Sequence, residues 1–300
     1  MNEIKLSKIL EKLKNKKIKF RFQGHDNILL THPSNIENAA DGSLCFYRGK
    51  DKNVLLDGPN NNNCFIVSNE ISLEKHHKLN LIIVKNPDLA FCIASSLFIE
   101  KKEINIHSTV IIHPSAIIGE NVSIGPYSVI EKDVIIGDNV EIGNNSNLKF
   151  CEIGEKSMIG SGVIIGSEPI GYQKCDDGTW LKRLIFKKVI INNNTFIHDR
   201  VVIARGFLDN TEIGENSIIG EATCIGSGVI IKKSCLIGQS VTVAGTVKIN
   251  DYSIIWANAS IRDGIKIGEN VVIGMGSMVV KDVEDSTVVF GNPARKKGHS

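Results

Sequence analysis

An aliphatic residue recurs every six positions from about residue 107 onward, and this spacing constrains the fold more than any other feature of the chain. We call these residues rungs. They are Ile112, Ile118, Ile124, Ile130, Ile136, Ile142, Leu148, then, after one step of five, Ile153, Ile159, Ile165, and later Ile191, Ile197, Ile203 and an unbroken run from Ile213 to Val279. Heptads would predict a coiled coil and simple alternation a hairpin barrel, whereas a fixed period of six predicts a parallel β-helix.

Two further positions of each hexad support this interpretation. The residue two before a rung is small or β-branched in almost every case, and strand alternation sends both residues to the same face. Glycine often follows the rung, as at Gly119, Gly220 and Gly268, and we expect it to permit the corner conformation. Three hexads then close one triangular coil with the rungs inside. Because such a solenoid needs capped ends, the N-terminal domain and the chain after Val280 are expected to cap it.

Residues 1–105 lack the repeat and have a mixed pattern. One apolar helix face is formed by Leu6, Ile9, Leu10 and Leu13. Short apolar runs bounded by Gly, Asn and Asp predict strands at Ser43–Tyr47, Cys64–Val67 and Leu81–Val84. Asn86-Pro87 predicts a turn into a helix over roughly Asp88–Phe98.

These patterns predict a mainly β chain in three parts. A small α/β domain, a possible nucleotide-sugar binder, spans residues 1–105. A parallel β-helix spans 106–280 and is interrupted by an extruded loop at 167–188. A short C-terminal tail spans 281–300.

Composition excludes several classes of protein. Thirty-five Lys and Arg against thirty-three Asp and Glu leave a charge of +2, which gives no bulk electrostatic argument for nucleic acid. The seven cysteines form an odd set without a CxxC pair, which argues against a disulfide framework and predicts a reducing cytoplasm. The first twenty residues contain no apolar h-region, and no stretch approaches the ~18 apolar residues of a membrane span, so we expect neither a signal peptide nor a span.

The hexapeptide pattern resembles the left-handed β-helix acyltransferases, whose coils wind left-handed and which usually form trimers. The order of domains is similar to the UDP-3-O-acylglucosamine N-acyltransferases of lipid A synthesis. The stretches that carry this resemblance are IENAADGSLCFY (36–47), LIIVKNP (81–87), GSEPIGYQKCDDGTWLK (166–182) and ARGFLDNT (204–211). The resemblance implies acyl transfer at sites that lie between subunits, and hence a homotrimer.

The chain departs from that family in two features, the residue at the position of the catalytic His and the C-terminal stretch. The family's catalytic His, two residues after a rung, falls on Ser227 without gaps and on Gln239 in a shifted register, and neither is His. The C-terminal stretch Gly274–Lys296 (GMGSMVVKDVEDSTVVFGNPARK) resembles instead the end of acetyl-CoA-dependent hexapeptide transferases. An amine acceptor with pKa near the ~8 of an α-amino group is partly neutral at pH 7 and needs a base less than an alcohol does, so losing the His fits N-acylation better.

His198 is the candidate base that the sequence offers. It directly follows rung Ile197 at a corner, with Asp199 beside it, and an imidazole can accept the proton of an amine at neutral pH. The alternative is a corner residue bonded to a neighbouring coil. His107, His113 and His198 are too scattered along the coils to hold one Zn²⁺, so we expect no metal.

The extruded loop supplies the candidate acceptor-binding residues. Its aromatics Tyr172 and Trp180 can stack on a sugar or base, and Lys182 and Arg183 can bind a diphosphate. Packing against an adjacent subunit is the alternative, and both roles are compatible. Ser227 and Gln239 join this set through the family alignment.

The C-terminal region supplies the candidate donor-binding residues. Gly274 and Gly276 can let the backbone approach a pantetheine arm, while Lys281 and Arg295 can neutralise the phosphates of CoA. Trp256 follows its rung where glycine is usual, so its indole should point outward and limit the acyl group to a short one. Alternatively, Lys281 and Arg295 belong to a solvated tail, and the indole of Trp256 packs between subunits of a trimer.

Three hypotheses follow, in order of preference. The first is an N-acyltransferase that moves a short acyl group, expected to be acetyl, from acyl-CoA to the amine of a UDP- or dTDP-linked amino sugar for bacterial surface glycan. The second is lipid A N-acylation from hydroxyacyl carrier protein. The third is an inactive β-helix scaffold that binds a nucleotide sugar or a partner.

Overall fold

The structure is a computed structural model that describes residues 3–49, 62–68, 79–99 and 104–299. The chain divides into two compact units, Met1–Lys102 and Glu103–Ser300, and each is described by itself.

The N-terminal unit combines a five-stranded sheet with two described helices. The helices are α1 (Leu6–Asn15) and α2 (Pro87–Ser95), with a 3₁₀ turn at Ile36–Asn38. The strands are β1 (Ile4–Lys5), β2 (Phe20–Gln23), β3 (Leu29–Leu30), β4 (His32–Ser34), β5 (Ser43–Tyr47), β6 (Cys64–Ser68) and β7 (Asn80–Val84). The sheet has the order β2-β7-β6-β5-β4, with only β2 antiparallel, and β1 pairs separately with β3. The predicted strands are therefore confirmed to within one residue.

Both helices follow from local sequence. Helix α1 buries the four predicted apolar residues on one face. Helix α2 begins where the side chain of Asn86 accepts the Leu89 N–H at 3.1 Å, and it ends at Ser95 rather than at Phe98. The expected end was wrong because Leu97 and Phe98 donate to the carbonyls three residues back, which tightens the last turn out of α-helical geometry. No helix in the described ranges is both long and apolar enough to cross a membrane.

The second unit is a left-handed parallel β-helix with three faces. Face 1 consists of β10 (Ser123–Ile124), β13 (Glu141–Ile142), β16 (Met158–Ile159), β21 (Phe196–Ile197), β24 (Ile218–Ile219), β27 (Leu236–Ile237), β30 (Ile254–Ile255), β33 (Val272–Ile273), β35 (Thr287–Phe290) and β36 (Arg295–His299). Face 2 consists of β8 (Ile111–Ile112), β11 (Val129–Ile130), β14 (Asn147–Leu148), β17 (Ile164–Ser167), β22 (Val202–Ala204), β25 (Cys224–Ile225), β28 (Thr242–Val243), β31 (Ser260–Ile261) and β34 (Met278–Val279). Face 3 consists of β9 (Ile117–Ile118), β12 (Ile135–Ile136), β15 (Cys151–Ile153), β20 (Val189–Ile191), β23 (Thr211–Ile213), β26 (Ile230–Ile231), β29 (Lys248–Ile249) and β32 (Lys266–Ile267).

The chain runs from face 1 to face 2 to face 3, so three edges separate the faces: edge 1–2, edge 2–3 and edge 3–1. Each strand pairs in parallel with the strand one coil further on, as Ile124 does with Ile142. The last strand, β36, is antiparallel to β35. The extruded loop leaves at edge 2–3 and forms a hairpin of β18 (Tyr172–Lys174) and β19 (Trp180–Lys182). A second, shorter loop, residues 205–210, leaves at the same edge one coil later.

The predicted rungs form the core of this unit. All from Ile124 onward are at most 3% exposed, and the residues two before them, such as Val134 and Ser217, are buried beside them. Burying one such aliphatic side chain contributes roughly 1.5–3 kcal/mol. The β-helix is therefore held together by a continuous aliphatic interior.

The expected reason for the glycines was wrong. The left-handed backbone conformation occurs three residues after a rung, often at asparagine, as at Asn121, Asn139 and Asn216 with φ of 56°, 58° and 57°. The glycine directly after the rung serves a close approach instead. A Cβ on Gly220 would lie 2.6 Å from the carbonyl carbon of Gly238 in the next coil. Glycine at that position lets successive coils stack.

A buried thiol makes the stability of the β-helix depend on pH. Burial raises the pKa of Cys235 to about 11, so the native state holds the neutral thiol while the unfolded chain ionises near pH 9. The stabilisation is complete below the unfolded pKa and is lost as pH rises through the folded one. We expect unfolding free energy to fall by about 1 kcal/mol between pH 8 and 10 through this group. Urea unfolding of Cys235→Val should lack this component, and an identical pH slope in the variant would contradict the prediction.

Candidate functional site

A pocket of about 540 Å³ opens at edge 2–3, beneath the point where the two loops leave the β-helix. The shorter loop, the end of the extruded loop and three coils of the β-helix form its walls. Its lining residues are Lys187, Phe207, Leu208, Asp209, Asn210, Glu212, Ser227, Gly228, Ile230, Thr246 and Lys248.

Arg205 fixes the two loops to the β-helix beside this pocket. Its guanidinium lies over the ring of Phe150 at 3.9 Å, and its Nε lies 3.2 Å from Glu168 Oε1. It also donates to the Ile185 carbonyl. A backbone bond of 3.1 Å from the Lys187 N–H to the Gly206 carbonyl joins the loops directly. A cation–π contact, an ion pair and a backbone hydrogen bond thus hold the two loops of the pocket wall together.

The pocket gathers polar groups that the protein itself leaves unpaired. Within the described residues, the ammonium groups of Lys187 and Lys248 and the carboxylates of Asp209 and Glu212 form no ion pair. The hydroxyl of Ser227 is buried and has no hydrogen-bond partner there. An unsatisfied buried polar group costs about 1–3 kcal/mol unless a ligand or water pairs with it. The arrangement is therefore suited to a ligand that carries both a positive and a negative charge.

Of the predicted acceptor-binding residues, the structure places Ser227 in the wall of this pocket. The loop side chains Tyr172 and Trp180 are 48% and 65% exposed on the extruded hairpin. Lys182 Nζ lies 3.7 Å from Glu168 Oε2, and Arg183 donates to Gln173 Oε1 at 3.1 Å. Both cations are thus partly engaged within the loop.

His198 and Asp199 lie on edge 1–2, a different edge from the pocket. Nδ1 of His198 is 3.6 Å from Glu221 Oε1 in the next coil. The Asp199 carboxylate accepts the Ser161 N–H of the preceding coil at 2.7 Å. Asp138 and Asp251 make the same contact with Glu120 and Lys233. The bond of Asp199 is therefore a recurring coil-to-coil contact, and the base role of His198 stays a prediction.

Edge 1–2 also carries four other predicted residues: Gln239, Trp256, Gly274 and Gly276. The indole of Trp256 is 45% exposed, as its corner position predicts. A Cβ on Gly274 would lie 2.7 Å from Phe290 Cβ, so the space beside it is occupied by the chain itself. Gly276 has open space and a φ of 67°, in the left-handed region.

A second pocket of about 330 Å³ lies at the C-terminal end of the β-helix and brings Lys281 and Arg295 together. Its floor is apolar, with Val283, Val289 and Ala294. Lys296 lines it too but lies 3.3 Å from Glu284. Lys281 has no ion-pair partner in the described part of the chain. In the same part, no three His, Cys, Asp or Glu side chains form a group that could hold a metal ion.

Sequence reasoning missed most of the edge 2–3 pocket. Glu212, Lys248 and Thr246 lie at ordinary outward positions of the hexads, and nothing in their local spacing distinguishes them. Only the coil-to-coil register brings residues 18 or more positions apart into one wall. The available signals were the break of the ladder between Ile203 and Ile213 and the stretch ARGFLDNT (204–211), which supplies the short-loop residues of the wall.

Comparison with known proteins gives one matching family model, the bacterial transferase hexapeptide (six repeats), over residues 115–149 and 246–281. A probable mitochondrial UDP-3-O-acylglucosamine N-acyltransferase of Arabidopsis thaliana is 32% identical over half of this chain and 49% of its own length. A UDP-N-acetylglucosamine O-acyltransferase of Nautilia profundicola is 30% identical over 49% of this chain and 54% of its own length. The matches thus span about half of these curated relatives.

Solved structures are similar over a larger share. A UDP-N-acetylglucosamine acyltransferase from Bacteroides fragilis is 30% identical, with a TM-score of 0.59 over 65% of this chain and 74% of the other. The corresponding enzyme of Acinetobacter baumannii is 32% identical, with a TM-score of 0.58 over the same shares. Among the curated relatives, the Arabidopsis protein is named for N-acylation and the Nautilia protein for O-acylation.

Proposed function

Since the chain belongs to the hexapeptide-repeat acyltransferases, we propose that it transfers a short acyl group, expected to be acetyl, from acyl-CoA to a nucleotide-linked amino sugar. The acceptor amine sits on a UDP- or dTDP-linked sugar destined for bacterial surface glycan. Members of the family with similar sequence carry names for acyl transfer to UDP-linked sugars, which supports a nucleotide sugar as acceptor.

The mixed charge of the edge 2–3 pocket is the observation that carries the proposal. An amino sugar nucleotide is a zwitterion, with an ammonium on the sugar and negative charges on its phosphates. Lys187 and Lys248 offer cations for the phosphates, and Asp209 and Glu212 offer carboxylates for the ammonium. An N-acetylated sugar nucleotide, the acceptor of the O-acylating relatives, has no ammonium and would leave both carboxylates unpaired.

The donor half of the site is proposed along edge 1–2 and the C-terminal pocket. Lys281 and Arg295 are placed to neutralise phosphates of CoA, and the open backbone at Gly276 leaves room for the pantetheine arm. The exposed indole of Trp256 then limits the length of the acyl chain. His198 and Gln239 lie on the same edge and face the thioester end in this proposal.

A homotrimer would join these two halves. Two different edges of one prism do not meet within a protomer, but a heterologous interface places one edge of a subunit against a different edge of its neighbour. Face 1 offers an apolar surface for that contact, made of the outward residues of six successive strands. They are Met158, Phe196, Ile218, Leu236, Ile254 and Val272. Face 3 instead presents charged residues in that region, such as Glu212, Lys248 and Lys266.

Charge on this apolar surface should dissociate the trimer. Leu236→Glu places three carboxylates in the three interfaces, and we expect monomers at micromolar concentration in light scattering. Thr242→Glu is the matched control, because Thr242 points outward from face 2, and it should stay trimeric. A trimeric Leu236→Glu protein, or a monomeric wild type, would contradict the proposed interface.

The function is tested by following thiol release from acetyl-CoA with a panel of UDP- and dTDP-linked amino sugars. We expect turnover with at least one amine, none with its N-acetylated form, and faster reaction with acetyl-CoA than with long-chain donors. Hydroxyacyl carrier protein with UDP-3-O-acylglucosamine is the second donor and acceptor pair, since two relatives carry the name of that N-acyltransferase. Preference for that pair would overturn the acetyl proposal, and no release with any amine would favour an inactive scaffold.

A further inference from the structure

Glu212 is an outward-pointing carboxylate on face 3. Thr211 and Ile213 are buried on either side of it in β23, so its side chain points outward to the pocket at edge 2–3. The strand register places Ile190 beside it in one neighbouring coil and Ile230 in the other. Both neighbours are apolar, so neither provides a counter-charge or a hydrogen bond.

The other carboxylate of face 3 in this region is neutralised. Glu152 forms an ion pair with Lys188, the last residue of the extruded loop. Lys248 lies on the same face as Glu212 but two strands further on, with about 10 Å between the two backbones at the usual strand spacing, and among the described contacts the two side chains form no ion pair. Glu212 is thus the carboxylate of this face that the described contacts leave available to a ligand.

Backbone hydrogen bonds bring Glu212 close to Ser227, the position on which the resemblance described above would place a catalytic His. The Gly228 N–H donates to Thr211 Oγ1 at 2.9 Å, and the Glu212 N–H donates to the Val229 carbonyl at 2.8 Å. The corner that carries Ser227 therefore runs alongside the strand that carries Glu212. Both residues line the same pocket.

We infer that Glu212 accepts the proton of the attacking nitrogen, an inference that rests on the proposed N-acyl transfer. The nitrogen forms a bond to the thioester carbonyl carbon, and the C–S bond breaks to release the CoA thiolate. The proton lost by the nitrogen passes to the Glu212 carboxylate and then to the thiolate, so amide and free thiol are the products. A serine hydroxyl cannot take this proton at neutral pH, whereas a carboxylate can.

The decisive experiment is the pH–rate profile of Glu212→Gln with the amino sugar found in the thiol-release screen. We expect kcat to fall by roughly 10²–10⁴-fold, the range for losing a general base, with the acceptor KM changed by much less. The rise of kcat/KM on the acid side should disappear. Glu212→Asp should restore part of the rate, and added formate should restore part of it in Glu212→Ala, where the truncated side chain leaves room for it.

Glu215→Gln is the matched control, since Glu215 lies on the same coil but at edge 3–1, away from the pocket. It should behave as the wild type. A kcat of Glu212→Gln close to that of the wild type, or an acid limb that persists in it and vanishes in His198→Asn, would overturn the inference. A wild type that acylates no amine would end the proposed function and this inference together, whereas an active Glu212→Gln ends the inference alone.

Discussion

Replacing Gly220 by valine is expected to lower the unfolding free energy of the β-helix by about 3 kcal/mol, because overpacking between well-packed elements costs in this range. The added Cβ would lie 2.6 Å from the Gly238 carbonyl carbon and 2.7 Å from the Gln239 nitrogen. Those are backbone atoms that no rotamer change can move. The two coils must separate, which strains the interstrand bonds of both. Urea unfolding at one fixed protein concentration, followed by far-ultraviolet circular dichroism, measures the loss.

Gly171→Val provides the matched control in the extruded loop. A Cβ there would make ordinary contacts, the nearest with Arg183 Cβ at 3.6 Å, and the backbone lies outside the left-handed region. We expect a change of less than about 0.5 kcal/mol, as for most surface substitutions. Equal losses at the two positions would show that valine itself, and not the stacking of coils, is responsible.

The repeat allowed the coils of the β-helix up to Val279 to be predicted because its cause is local, whereas β35 and β36, which follow on face 1, lie in the stretch that was expected to be a tail. Each rung needs only an aliphatic residue at its position, so Ile219 and Ile237 can each be recognised from their spacing in the sequence alone. The role of Gly220 could not be assigned in the same way. Its constraint comes from Gly238, one coil further on, and a sequence shows the spacing of these residues but not their distance.

The site was predicted less well than the fold for the same physical reason. Residues with distinctive chemistry, such as His198 and Trp256, stand out in a sequence, yet the structure places them on edge 1–2, away from the pocket at edge 2–3. Glu212 and Lys248 are ordinary surface residues until the register brings them into one wall. Only coordinates show which side chains line one pocket and which of their polar groups lack partners.

Filling the pocket should abolish acceptor binding while the donor still binds. In Ser227→Phe a ring enters the space below the short loop, and we expect acceptor affinity to fall by at least about 100-fold, or about 2.7 kcal/mol. Calorimetric titration with the amino sugar nucleotide measures this. Titration with acetyl-CoA should be unchanged, because Lys281, Arg295 and Trp256 do not line this pocket.

Glu215→Phe controls for bulk at a corner, since Glu215 and Ser227 both lie two residues after a rung, and it should bind the acceptor normally. Ser227→Ala separates function from folding. Removing a buried hydroxyl without a partner should leave the protein as stable as the wild type or more stable, yet acceptor affinity should fall about tenfold because the ligand loses a hydrogen bond. A variant that loses stability and keeps its affinity would mean that the hydroxyl serves the fold, and the acceptor site would then have to be sought elsewhere.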